Sequence, residues 1–423
     1  MGCVNERTAT LSATVDGNAR PEGLGRVGAF LPQWSVAAKQ FEDGVQTGSE
    51  VSPFLRVRAI DLATVKQSSR YILIAFYARL SRQPPEQYAA SPMVRFQCPQ
   101  CAGAVYLDNT LCVACGTSIG FAQDGMAMQM VGVDWQPCRN RQDFGVRTWL
   151  VRSAGTGQYC LACTLTSTIP ELSESENHRR WACIEAAKRR LVYGCLALGI
   201  PVRPKQDAGD REGLEFRWLL PTAEAPVLTG QQEGVVTVNL AEADDDYREA
   251  ARVQLGEPAR TLLGHLRHEL AHHLFERFVP GSSHEPGLVE LFGASPPDYG
   301  LALQEHYRTG PPADWSERYI SAYASAHPSE EWAETCAHYL LIADAVETAT
   351  AWGLGLQSEG TAPTLITGTD MRSLVFDGWL PVARFLNVMA RGLGLHDSYP
   401  YVINDLVAQK LEFVATVLRA RAV

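Results

Sequence analysis

The chain has 423 residues, is 46% hydrophobic and 20% charged, and carries a formal net charge of −10. These are ordinary values for a soluble globular protein of two or three domains, and the acidic balance argues against a general nucleic-acid binder. No apolar run approaches a membrane span and no apolar stretch of a signal peptide occurs early, so the expectation is a non-membrane, cytoplasmic chain whose 11 cysteines are metal ligands or buried thiols before they are disulfides.

Residues 1–92 are rich in Gly, Ser and small polar residues and show weak periodicity up to about residue 54. They read in two ways. One is an upstream extension, with the natural start at Met93. The other is a small appended domain with a few elements between Val51 and Leu80. Residues 93–170 then form a cysteine-rich region. Cys98, Cys101, Cys112 and Cys115 make two C-x-x-C pairs, the spacing of a closed four-thiolate structural zinc site. Gly103 and Gly116 suit the tight turns after each pair. Cys138, Cys160 and Cys163 read as a second, three-ligand cluster. Cys183 is a candidate fourth ligand, although it falls within a helical pattern over His178–Leu198. Cys3, Cys195 and Cys336 have no ligand-like spacing.

From residue 171 the pattern changes. After the helix over His178–Leu198, Leu214–Leu219 and Val235–Leu240 read as strands from their β-branched and aromatic content. Val235–Leu240 is the expected edge strand that could pair with an extended substrate backbone. A second helix is predicted from Glu257-Pro258 onward, with Pro258 at its first position and Leu262, Leu263, Leu266, Leu270 and Leu274 as its apolar stripe. It carries His268-Glu269-Leu270-Ala271-His272, an H-E-x-x-H motif. Residues four apart share a helix face, so both histidines can reach one metal ion, and Glu269 falls where a general base for a zinc-activated water is needed. His265 shares the face of His268 and is a competing ligand. His273 points off that face and is expected to be solvated or packed.

A catalytic zinc site usually takes three protein ligands. Phe275 and Phe278 stand where an extended motif would place glycine and a third histidine, so the search moves to downstream carboxylates. Glu290, Glu305, Glu330, Glu331 and Glu334 are candidates, with His327 as an alternative. Pro328 starts a predicted helix that sets Glu330 and Glu334 four apart on one face. That spacing selects Glu330 as the ligand and Glu334 as acceptor for the other N–H of a ligand histidine, with Glu331 the runner-up. Tyr323 reads equally as an oxyanion-stabilising hydroxyl and as an ordinary packed aromatic. After residue 330 the pattern is helical, with breaks around Gly353–Thr369 and His396–Tyr401.

The ordered series Cys98-Pro-Gln-Cys101, Leu111-Cys-Val-Ala-Cys115-Gly116, Trp135-Gln-Pro-Cys138, Cys160-Leu-Ala-Cys163, Glu185-Ala-Ala-Lys-Arg-Arg-Leu191, Asn239-Leu-Ala-Glu-Ala-Asp244, His268-Glu269…His272 and Ser321-Ala-Tyr-Ala-Ser-Ala-His-Pro resembles a bacterial family of zinc-binding metallopeptidases that carry a zinc ribbon before the peptidase domain. The resemblance runs from about Met93 to near the C-terminus. It implies a gluzincin-type site, with Glu330 as third ligand and Tyr323 as oxyanion helper, but no substrate. One departure concerns the second cysteine cluster: the family carries a further cysteine just before a tryptophan, whereas Trp149 here follows Arg147 and Thr148.

The expectation is therefore an α+β chain: a small cysteine-rich zinc ribbon (93–170), then a mostly helical zincin-like domain with a small sheet (171–423). The expected function is zinc-dependent hydrolysis of a peptide or protein, with one catalytic zinc and at least one structural zinc. The competing reading is an inactive or restricted zinc-binding scaffold that recruits a protein partner through the ribbon. A nucleic-acid-binding ribbon is a weaker third.

Overall fold

The computed structural model describes residues 95–146, 149–155, 157–222, 225–296, 298–354 and 371–420. Both readings of residues 1–92 fall outside the described residues, as does the position of Arg147 and Thr148. The architecture is α+β, with a cysteine-rich ribbon followed by a largely helical body with small sheets.

The ribbon contains three antiparallel hairpins: β1 (Arg95–Gln97) with β2 (Ala104–Tyr106), β3 (Ile119–Ala122) with β4 (Ala127–Met130), and β5 (Trp135–Pro137) with β6 (Leu150–Arg152). Between β5 and β6 lies α1 (Arg139–Phe144), and α2 (Leu161–Thr164) follows β6. The turn after the first cysteine pair differs from expectation. Ala102 takes the left-handed conformation (φ 57°), not Gly103. Gly103 serves close approach instead: a Cβ there would sit 3.3 Å from Cys101 Sγ and from Ala114 Cβ. Gly116 does adopt positive φ (73°) and donates its N–H to Cys112 O.

A four-stranded sheet follows in the order β7-β8-β10-β9, with β7 at Thr166–Thr168, β8 at Glu215–Leu219, β9 at Gly230–Gln232 and β10 at Val235–Asn239. β8 runs parallel to both neighbours, and β9 closes the edge antiparallel to β10. This corrects the assignment of Val235–Leu240 as an edge. Its β-branched residues suit an interior strand, and Val236 and Val238 are buried on one face. The edge on this side is the polar Gly-Gln-Gln segment, which carries almost no strand signal, and β7 is the other edge. The two-residue turn Glu233-Gly234 has positive φ at both positions (49° and 81°), the geometry that lets a tight hairpin match strand twist. A Cβ at Gly234 would meet Gly213 O at 2.3 Å.

Helix α3 (Ser175–Ala197) packs the sheet against the rest. Its Tyr193 is the meeting point with the ribbon, 6.1 Å from Phe96 and 5.5 Å from Phe121, both edge-on. The ribbon therefore shares one continuous core with the helical body. α4 (Asp245–Leu255) leads to α5 (Leu262–Phe278), which carries the histidine motif. α5 does not begin at Pro258: Thr261 caps it, accepting the Gly264 N–H at 3.0 Å. A hydroxyl at the cap position satisfies an orphan amide, which fixes the start more firmly than proline and acidic residues alone. Next come α6 (Glu285–Phe292), α7 (Tyr299–Thr309), α8 (Trp315–Arg318) and the central α9 (Pro328–Ala351). The chain ends with α10 (Met371–Ser373), a π-helical turn over Leu374–Trp379, α11 (Leu380–Gly392) and α12 (Asp405–Arg419).

α9 is the axis of the body. Trp332 is fully buried, donates its indole N–H to Ala271 O on α5 at 3.0 Å, and packs against Phe275 and Phe413. Buried ion pairs join the same elements: Arg267 on α5 with Asp344 on α9, and Lys410 on α12 with Glu331 on α9. The Trp332 and Arg267–Asp344 contacts fix the relative position of α5 and α9, and hence of everything the two helices hold between them.

Candidate metal centre

α5 and α9 bring His268, His272 and Glu330 together. One ligand atom from each lies within 4.8 Å of the others. His268 Nε2 is 3.1 Å from His272 Nε2 and 3.1 Å from Glu330 Oε2, and His272 Nε2 is 3.4 Å from Glu330 Oε1. A tetrahedral zinc with bonds of about 2.0–2.1 Å needs ligand atoms about 3.3 Å apart, so the three groups fit the ion.

The local cause is legible in each helix. On α5 the motif histidines are one turn apart and sit at the edge of the buried stripe of Leu266, Leu270 and Leu274. On α9, His327 is the cap residue: its ring nitrogen accepts from the Ser329 N–H at 3.1 Å and it is not among the ligand atoms. Pro328 takes the first helical position, and Glu330 and Glu331 follow in the first turn. Glu330 faces α5, whereas Glu331 faces Lys410 on the other side. Glu334, one turn on, accepts from His268 Nδ1 at 2.7 Å, and its second oxygen accepts from Ser321 Oγ at 2.7 Å.

The electrostatics suit a cation. Burial alone would raise both carboxyls, yet the histidines hold Glu330 far below the usual range and Glu334 at about 2. His268, although buried, is raised well above its ordinary value by Glu330 and Glu334. The pair of carboxylates thus places strong negative potential on the ring, which a divalent ion would satisfy in place of a proton.

Glu269 is buried beside the cluster, and its neighbour is His265. His265 was a competing ligand by spacing, and the structure corrects this: it is outside the ligand group. Its Nδ1 lies 2.6 Å from Glu242 Oε2 and its Nε2 lies 3.3 Å from Glu269 Oε1. Despite burial, these two carboxylates push it up to about 9. Glu242 is itself held by Thr229 Oγ1 at 2.7 Å and by Arg260 at 3.6 Å. By sequence His265 was a ligand candidate because it shares the face of His268; it also lies four residues from Glu269, and only the fold separates the two roles. His273 is packed, not solvated: it lies against Gly234 with neither ring nitrogen hydrogen-bonded, and burial pushes it down to about 3.

Tyr323 lies in a short 3-10 turn (Tyr323–Ser325), its ring 6.0 Å from that of His268. Burial, then the charge of Glu330, raises its hydroxyl, so it stays a proton donor. Tyr299, which no sequence signal singled out, donates to Glu330 Oε1 at 2.6 Å. Glu305 pairs with Arg308 on the exposed side of α7, and Glu290 lies on α6 outside the ligand group.

Cys98, Cys101, Cys112 and Cys115 converge, with Sγ–Sγ distances of 3.7 Å for Cys98–Cys115 and for Cys101–Cys112. Zinc–thiolate bonds of about 2.3 Å give a tetrahedral edge of about 3.8 Å, so this set fits zinc as well. Cys138, Cys160 and Cys163 also converge, all buried, with the Cys160 N–H directed at Cys138 Sγ at 3.3 Å. Cys183 is not part of that group: α3 holds it elsewhere, so among the described residues the cluster has three ligands.

Comparison with known proteins agrees with these clusters. Residues 95–174 match a zinc-ribbon domain. An uncharacterized protein of Mycobacterium bovis and two of Mycobacterium tuberculosis are each 40% identical to the chain over 326 residues, covering 76% of this chain and 94% of theirs. No solved structure matches the chain significantly. Residues 177–417, which hold α5, α9 and every residue of the histidine–glutamate centre, match the family described as "putative zinc-binding metallo-peptidase", and the chain belongs to that family.

Proposed function

We propose that the chain is a zinc-dependent hydrolase, a gluzincin-type metallopeptidase acting on a peptide or protein, with a ribbon over 93–170 and the peptidase domain over 171–423. The observation that carries this reading is the convergence of His268, His272 and Glu330 with Glu269 alongside. When bound there, zinc supplies Lewis acidity, lowering the pKa of a water and polarising a carbonyl.

The residues divide the remaining work. Glu269 takes the proton from the attacking water and passes it to the leaving nitrogen. His265 holds the Glu269 carboxylate from behind. Glu334 fixes the His268 ring so that Nε2 faces the metal. Tyr323 donates to the oxygen of the scissile carbonyl as charge develops on it. β9, an edge strand, offers backbone groups to an extended substrate, and its Gln231 is tied to Glu276 on α5. The four-cysteine group is a structural zinc site, and Cys138, Cys160 and Cys163 form a further candidate. Among the described residues no helix is long and apolar enough to cross a membrane. The reading extends to a cytoplasmic location, where the cysteines stay available as thiolates.

The test is Glu269→Gln on a peptide library. Hydrolysis is expected to disappear while zinc content is unchanged. Retained turnover would exclude Glu269 as base, and a wild-type chain with zinc in the histidine site but no turnover on any peptide would favour the scaffold reading.

A further inference from the structure

We propose that Tyr299 is a positioning residue of the metal centre: its hydroxyl occupies Glu330 Oε1 and leaves Oε2 as the ligand oxygen. The inference rests on the reading that His268, His272 and Glu330 hold zinc.

Glu330 is 1% exposed, so both carboxylate oxygens need partners inside the protein. Oε1 receives the Tyr299 hydroxyl at 2.6 Å, a short charge-assisted bond. Among the described residues Oε2 has no hydroxyl partner and is the oxygen nearer the histidines, 3.1 Å from His268 Nε2, whereas Oε1 lies 3.4 Å from His272 Nε2. A phenol donating to one oxygen removes that oxygen's best-directed lone pair and favours one-oxygen ligation.

Tyr299 reaches the site from an unusual support. It is 45% exposed and begins α7, a helix with no buried residue. Gly293 and Gly310, both at positive φ (89° and 77°), bracket the segment. The ring contacts of α7 are directed at the metal centre: Tyr299 on His327 at 5.1 Å, and His306 and Tyr307 on Tyr323 at 6.0 and 6.4 Å. The helix contributes nothing to the core but supplies a hydroxyl to the one ligand that comes from α9.

The test uses the full chain with the ribbon cysteines loaded with zinc. The weaker-bound metal is removed with a chelator and the site is titrated with Co(II), followed by its visible absorption and by competition with Zn(II). Tyr299→Phe is expected to bind both ions about tenfold more weakly and to shift the Co(II) bands, as Glu330 changes its mode of ligation. Tyr307→Phe, on the same helix but directed at Tyr323, is expected to match wild type. Retained ribbon zinc marks each variant as folded. Affinity and spectrum of Tyr299→Phe equal to wild type overturn the proposal, as does an equal loss in Tyr307→Phe, which would assign the effect to docking of α7. If wild type and His268→Ala/His272→Ala take up the same amount of Co(II), both this proposal and the metal-site reading beneath it fail.

Discussion

Glu334→Ala separates orientation of a ligand from ligation itself. In the structure Glu334 makes two hydrogen bonds of 2.7 Å, one from His268 Nδ1 and one from Ser321 Oγ. Truncation leaves the His268 Nδ1–H without its acceptor on a side chain only 12% exposed. An unsatisfied buried donor costs about 1–3 kcal/mol. Loss of a carboxylate behind a ligand histidine typically lowers metal affinity about 10- to 100-fold, or about 1.4–2.7 kcal/mol. The two routes agree, so a zinc dissociation constant about 10- to 100-fold higher is expected, with the ion still bound at saturation. Glu334→Gln keeps an oxygen for Nδ1–H and should lose well under half as much. Glu330→Ala, by contrast, removes the proposed third ligand and should lose one zinc per chain. The assay is competition against a chelator of known affinity, with zinc counted per chain and the ribbon zinc as internal reference. Glu334→Ala within twofold of wild type would refute the orienting role. Equal losses in the Gln and Ala variants would assign the effect to charge, not to the hydrogen bond.

Two further outcomes concern the frame that holds the site. Asp344→Asn leaves Arg267 buried without its counter-charge and should cost about 3–5 kcal/mol, read as a lower midpoint in urea; a shift below about 1 kcal/mol would show that the pair is dispensable. His338 is buried on α9 and bonded to the Tyr399 hydroxyl at 2.8 Å, and burial pushes it down from 6.5 to about 4. The unfolded chain therefore binds this proton near pH 6.5 and the folded chain only near pH 4, so stability falls as pH drops through that window, by about 3 kcal/mol from this group. His338→Gln should flatten the slope between pH 6.5 and 4, and an unchanged slope would contradict the assignment.

How much the sequence disclosed depended on whether a group's neighbours were local. The H-E-x-x-H histidines and the Glu330/Glu334 pair were legible because each is set by helix periodicity alone: residues four apart share a face wherever the helix goes. The same holds for the two C-x-x-C pairs, whose spacing fixes four thiolates on two short turns. Local signals failed where two roles share one spacing. His265 stands one turn from Glu269 and on the face of His268, and only the fold, which brings Glu242 from the segment after β10 to its other ring nitrogen, places it between two carboxylates. Val235–Leu240 looked like an edge because the strand outside it, Gly230–Gln232, is too short and polar to announce itself.

The sequence by itself determined the ligand chemistry and the helices that carry it, because side-chain type and periodicity are properties of the chain. Tertiary structure brought the Glu330 carboxylate to the histidines, through the buried contacts of Trp332 and Asp344 that set α5 against α9. It also decided that Tyr299 reaches Glu330 across 31 positions of chain, a meeting that no local pattern encodes.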